Sequence, residues 1–455
     1  MKQLILLSGA TLLGGLGSLQ SPFWGLLLYY GFAVLRPQFI WDWALPDSIR
    51  WSLMAALIVL GSVVLHAPRI VFRGRMTLVL GLMLGFGGML MLSVLTAYNP
   101  AVAQHWGGEQ AKVLLIACLA ALIIDRTWQI RLMGLMILVC LGYIAWEINL
   151  LYFLHGTINI HVRGYGGLDN NGAGLLLAMG APFAYALAMG GDPKTRPWRI
   201  AVGGLTGAML LHAVMMTYSR GAMLAAGMGM GWLILRHRPR WQAGAMAGLL
   251  LLGMTALMGP EIRSRLLSTL DYQQDASAQS RFDSWSAAWE MAWDEPLLGH
   301  GIRNANRFSA NYGADRAGRT IHNQYLQIAA DSGIPAAALY LALLGVGGWQ
   351  LGRARKTCLE TDCATDSGAR EMEQTGAVLL ACQASLLAFA VDGMFLSLDS
   401  FELPWLLLVL AGVAPAAVAA RAGQLATAAA PESGESIEPD PSIPGLTPAA
   451  TSAAR

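Results

Sequence analysis

The chain has 455 residues, of which 55% are hydrophobic and 13% charged, with a net charge of +2. Soluble domains carry about 25% charged residues, so a fully water-facing surface is excluded, and so near-neutral a balance excludes the basic face of a nucleic-acid binder. The five cysteines, Cys118, Cys140, Cys358, Cys363 and Cys382, imply no disulfide framework, and Cys358 and Cys363 lack neighbouring His or Cys ligands, so neither a metal nor another cofactor is expected.

In chain order, apolar runs occupy residues 3–19, 22–36, 50–66, 76–97, 110–125, 131–153, 172–190, 200–217, 219–235, 242–259, 334–352, 374–397 and 403–421. A hydrocarbon core takes roughly 20 helical residues, so the fold class is an all-α polytopic membrane protein of about 12–13 transmembrane helices. The first run meets the second at once and reads as a retained segment rather than a signal peptide. That short pair either forms one hairpin or has a member that does not fully span.

Short basic connectors set the orientation. Arg69, Arg73 and Arg75 share one; Arg126 and Arg131 mark the next; then come Lys194, Arg196 and Arg199; Arg236, Arg238 and Arg240; and Arg353, Arg355 and Lys356. Each is two spans from the next, as required if all face the cytoplasm. Only Lys2 argues against the outward N-terminus that this count implies. Arginine outnumbers lysine heavily, either from coding bias or from a preference for bidentate phosphate recognition.

The chain then divides into N-terminal spans (1–259), one long outer loop with short helices (260–333), C-terminal spans (334–421), and a tail (422–455). The tail is rich in Ala, Pro, Ser and Glu, has no apolar period, and is expected to be a disordered cytoplasmic segment.

Four segments, all on the outer side in this topology, carry candidate chemistry, since charge at a membrane boundary is functional by default. Arg163-Gly164-Tyr165-Gly166-Gly167-Leu168-Asp169-Asn170-Asn171 precedes a span; it is either an anion cradle or an ordinary turn. Tyr218-Ser219-Arg220-Gly221 joins two spans with almost no loop, so Arg220 either snorkels as an interfacial anchor or holds a phosphate by its guanidinium fork. In the long loop, Phe282, Trp285, Trp289 and Ala292 recur at helical spacing, with Arg281 at the expected helix start and Pro296-Leu297-Leu298-Gly299-His300-Gly301 beyond its end. That helix binds an anion through Arg281 or simply seals the loop. Last, His322-Asn323-Gln324-Tyr325-Leu326 opens a short helix stopped by Gly333 and Pro335, with His322 expected in the first turn as a neutral base or a structural histidine.

Taken together and in this order, the four segments resemble the O-antigen ligase/polymerase superfamily: lipopolysaccharide O-antigen ligases, bacterial O-oligosaccharyltransferases and O-antigen polymerases. Trp106 and Lys112 ahead of a span are similar to the branch of exosortase-associated O-glycosylation ligases. The resemblance covers about residues 1–421.

It implies a GT-C-like membrane fold and metal-independent, inverting transfer of a glycan from undecaprenyl pyrophosphate to an acceptor hydroxyl, on a lipid A-core sugar or a protein Ser/Thr. The site would face the periplasm from the bacterial inner membrane. By matching position, Arg220 and Arg281 would bind the donor pyrophosphate, with Arg163 a weaker carry-over, and His322 would assist the acceptor. Asp392, an acid in a late span, would orient His322, pair with an arginine, or serve structure alone; Tyr218 and Asn323 would support the site. The alternatives are a polymerase, whose acceptor is another lipid-linked repeat, and a transporter or flippase. Transporters place their charges at mid-membrane, whereas here they gather on one face.

Overall fold

The computed structural model describes residues 1–46, 49–67, 77–156, 159–237, 239–257, 276–313, 320–397 and 401–427. Fifteen helices of nine or more residues build it: α1 (Lys2–Ser18), α2 (Pro22–Leu35), α3 (Trp51–Leu65), α4 (Leu78–Leu95), α5 (Pro100–Ile123), α6 (Thr127–His155), α7 (Asn170–Met189), α8 (Arg196–Met216), α9 (Arg220–Arg236), α10 (Arg240–Leu257), α11 (Ala276–Asp294), α12 (Gln324–Ser332), α13 (Ile334–Glu360), α14 (Asp366–Asp392) and α15 (Glu402–Thr427). Among the described residues the only β pairing is one bridge between Tyr165 and Leu168. The protein is an all-α, multi-pass membrane protein.

Every apolar run coincides with a helix. Eight helices, α4 to α8 and α13 to α15, are long and apolar enough to cross a membrane; the other five runs form shorter or less apolar ones. The helices often outrun the apolar windows, because hydropathy marks the span while capping marks the helix. Asn99 caps α5 by accepting from Val102 N (3.3 Å), with Pro100 in the first helical position, ten residues before the apolar run. Thr365 likewise caps α14, accepting from Gly368 N (3.2 Å). At the other end, α15 continues through Gln424 to Thr427, so residues 422–427 are helical rather than part of a tail. Residues 428–455 and the basic connector residues Arg69, Arg73, Arg75 and Arg238 lie outside the described residues.

Two helices form the centre of the bundle. The apolar window of α7 is 83% buried and that of α15 is 78%, against 33% for α4. α7 packs against α6, α8, α9 and α14, and α15 against α13, α4 and α5. α14 touches both centres.

Candidate functional site

The site is assembled at the C-terminal end of α14. Asp392, the last residue of that helix, is buried, and its Oδ1 stands against the α-carbon of Gly221, so close that any side chain at 221 would collide with the carboxylate. Arg220 and Gly221 open α9, whose cap is Ser219: its hydroxyl accepts from Ala222 N (3.3 Å). The same hydroxyl donates to Asn171 Oδ1 (2.8 Å), and Asn170 Nδ2 donates to Thr217 O (3.1 Å). Two of the four sequence segments are thereby tied together. Asp169 caps α7 by accepting from Gly172 N (2.8 Å), and its charge acts on Asp392.

The outer segment closes over this junction. Arg281 on α11 acts electrostatically on Asp392, and Trp285, one turn further on, meets the ring of Phe395 at 6.4 Å, just beyond Asp392. α12 docks from the other direction: Gln324 N donates to Gly393 O (2.7 Å), and Tyr325 Oη to Ala390 O (2.6 Å). Burial pushes the Tyr325 phenol up to about 12, which keeps it a donor at neutral pH. Asp392 and Gly393 are therefore met by the start of α9 at Gly221, by the charge of Arg281 on α11 and by the start of α12. Asp392 lies within reach of the charge of Arg281, and its role among the three sequence alternatives belongs to the proposed function.

Two placements differ from the sequence reading. His322 is not in the first turn of α12 but just outside it, because Asn323 is the better cap: its side chain accepts from Tyr325 N (3.0 Å) and Leu326 N (3.1 Å). His322 instead has a left-handed backbone, φ 54°, with Nε2 3.2 Å from Thr320 Oγ1. Arg281 is not at a helix start either, since α11 begins at Ala276, and so the open N–H groups of the first turn are not beside it. The helix buries one face and leaves much of its aromatic stripe outside. Ala287, Ala288 and Met291 are buried in a small core with Ile321 and Ala330, while Phe282 and Trp289 are exposed.

Arg163 stands exposed at the end of the one-turn helix Ile160–Arg163, and its segment reaches the others through Asn170 and Asn171. The glycines after it make a tight turn closed by the Tyr165–Leu168 bridge. Tyr218 is half-buried with φ 55°. Of the four non-glycine residues with positive φ among the described residues, two, Tyr218 and His322, flank this site, a backbone cost that recurs where function fixes a conformation.

Sequence reasoning missed the residues that hold His322 in place. Gln327 Oε1 accepts from Ile321 N (3.3 Å) and its Nε2 donates to Asp331 Oδ2 (2.6 Å), while Asp331 Oδ1 accepts from Ala305 N (2.8 Å). The available signal was Asn323, Gln327 and Asp331 at four-residue intervals, a polar stripe on a helix face that is buried. The Pro296–Gly301 stretch is structural. It lies along the end of α12, with His300 N donating to Ala330 O (3.0 Å) and Gly301 N to Asp331 O (2.8 Å), and Gly299, at φ 62°, leaves no room for a side chain against Asp331. Arg303 lies over the Trp106 ring (4.9 Å), joining the outer segment to α5.

Below the junction an apolar hollow of about 410 Å³ opens between α7, α8 and α9. Its lining runs from Ile200 to Met215, past Ala184, Gly203 and Gly207, and Met215 O accepts from Tyr218 N (3.0 Å) at the turn before Arg220.

Residues 205–341 match the protein-family model described as O-antigen ligase, so this part of the chain is similar to that family. The matched stretch contains Arg220, Arg281 and His322; Arg163 and Asp392 lie outside it. No curated protein matches the chain. One solved chain, from "Structural coordination of polymerization and crosslinking by a peptidoglycan synthase complex", is similar with a TM-score of 0.40 and 17% identity over 74% of this chain and 96% of that one, a likeness too distant to carry a conclusion.

Proposed function

We propose that this protein belongs to the O-antigen ligase/polymerase superfamily and is a ligase that moves a glycan from undecaprenyl pyrophosphate to an acceptor hydroxyl at the periplasmic face of the bacterial inner membrane. The acceptor is a lipid A-core sugar or a protein Ser/Thr. The observation that carries the reading is the meeting of three segments, those of Arg220, Arg281 and His322, on the Asp392–Gly393 turn.

In this reaction the acceptor oxygen attacks the sugar C1, and the bond from C1 to the pyrophosphate oxygen breaks. The electron pair leaves with undecaprenyl pyrophosphate, and the acceptor proton passes to His322. Arg220 and Arg281 face the charge that grows on the leaving group, where fixed guanidinium donors stabilise it without needing to reorganise. Asp392, which feels the charge of Arg281 and lies close to Gly221 at the start of α9, is suited to position both arginines. Arg163 supplies a further guanidinium at the rim. Direct displacement inverts the anomeric centre. The apolar hollow beneath the Tyr218 turn is suited to the polyprenyl chain, whose hydrocarbon gains nothing from water.

One outer segment that carries both α11 and α12 supports the ligase over the polymerase. Deleting the gene separates the readings. Accumulation of full-length lipid-linked glycan on the periplasmic side is expected. Accumulation of single lipid-linked repeats would replace the ligase by a polymerase, and donor trapped facing the cytoplasm would replace both by a flippase.

A further inference from the structure

The opposite end of the bundle carries a second charged cluster that glycan transfer does not use. Glu371, near the start of α14, accepts from Arg421 Nε (3.1 Å) and Nη2 (2.7 Å) on one carboxylate oxygen. Its other oxygen accepts from Thr127 Oγ1 (2.9 Å) and faces Arg131 Nη2 at 3.4 Å. Two guanidiniums thus share one carboxylate, whose oxygens are both engaged. A hollow of about 520 Å³ is lined by these groups together with Asp125 and Arg126, so three arginines oppose two carboxylates.

A second hollow, of about 430 Å³, shares Asp125, Arg126 and Trp128 with the first and extends to Trp24 and His66. Trp128 packs against Phe23 and Trp24, with ring centroids 5.0 and 6.2 Å away. Both tryptophans remain partly exposed, at 37% and 38%. Tryptophans so placed mark the level of lipid head groups. From Glu371 to Asp392 the helix rises about 30 Å, close to the ~30 Å of a hydrocarbon core. The two charged layers therefore stand at opposite boundaries of the membrane.

We infer that the hollow at Arg126, Arg131 and Arg421 binds the phosphodiester head group of an anionic phospholipid. Arg131 and Arg421 are partly buried around the one Glu371 carboxylate. Arg126 stands 3.8 Å from Asp125 at the exposed edge of the hollow, so one positive charge is left over. A guanidinium cluster with such a surplus favours an anion, and planar guanidinium forks suit phosphate oxygens. Only a lipid also uses what surrounds the charge: its head group fills the hollow at the interfacial tryptophans while its chains stay in the bilayer. Basic pockets between spans on the cytoplasmic side, the side the basic connectors assign to this end, hold anionic head groups in this way. A zwitterionic lipid brings an ammonium that would meet the arginines with like charge.

The test is lipid retention by the full chain, purified and measured by native mass spectrometry after exposure to nanodiscs of phosphatidylglycerol or of phosphatidylethanolamine. Arg126→Gln is the main variant: the side chain is 65% exposed and makes no part of the Glu371 network, so the fold is kept. Arg131→Gln is the second. Phosphatidylglycerol should be retained over phosphatidylethanolamine, Arg126→Gln should lower its retention several-fold, and inorganic phosphate should not displace it. Equal retention of the two lipids, unchanged retention by Arg126→Gln, or displacement by inorganic phosphate alone would each overturn the inference.

Discussion

Asp392 lays its carboxylate against the α-carbon of Gly221, so the end of α14 and the start of α9 meet with no side chain between them. Arg220 precedes that contact by one residue, and the charge of Arg281 reaches the same carboxylate from α11. The start of α9, where Arg220 stands, is thus set by a contact between residues far apart in sequence.

Gly221→Ala tests this contact. The added methyl would push Asp392 away and shift the first turn of α9. A displacement of about 1 Å near reacting groups can cost about 10²-fold in rate, so glycan transfer should fall by about that factor. Gly227→Ala on the same helix, where a Cβ meets nothing within 4 Å, should leave transfer unchanged. Transfer assays on the two variants compare them directly.

Ser219→Ala removes two bonds at once, the cap to Ala222 N and the bond to Asn171. A lost N-cap costs about 0.5–2 kcal/mol, and a lost hydrogen bond between membrane helices averages roughly 0.6 kcal/mol. A fall in stability of about 1–2.5 kcal/mol follows from the two together, read as a lower midpoint of thermal unfolding in detergent.

Gln327→Leu keeps the volume but removes the bonds that Gln327 makes with Ile321 N and Asp331 Oδ2, and so the buried Ile321 N loses its acceptor. Buried groups left unsatisfied cost about 1–3 kcal/mol. Because Gln327 acts on His322 through Ile321, turnover should drop while the Michaelis constant for the lipid-linked donor stays near its original value. Steady-state kinetics on purified protein separates the two.

Hydropathy made the spans legible because length and apolarity are local properties, and all thirteen runs fall on helices. The four segments were legible by their order, and they do come together: the Arg163–Asn171 segment is bonded to Thr217 and Ser219, and the other three meet around Asp392 and Gly393. What the sequence did not reveal is physical competition and long-range contact. Asn323 displaces His322 from the helix because an amide side chain can accept from two backbone N–H groups at once. The start of α11 at Ala276 rather than Arg281 leaves no mark in the hydropathy pattern, and the burial of Ala287, Ala288 and Met291 depends on the small core they join. Asp392 was visible as an acid in a late span, but its contact with Gly221 arises only from packing. Gln327 and Asp331 look like ordinary polar helix residues until their burial is known.

The central claim is that the imidazole of His322 takes the acceptor proton beside guanidiniums that hold the leaving pyrophosphate. Its most direct test is the turnover of purified His322→Ala with lipid-linked glycan donor and acceptor, alongside a measurement of donor binding. Removing a general base typically costs about 10²–10⁴-fold; turnover should fall by that amount while the protein keeps its unfolding midpoint and still binds donor. Turnover equal to that of the unaltered protein would contradict the account.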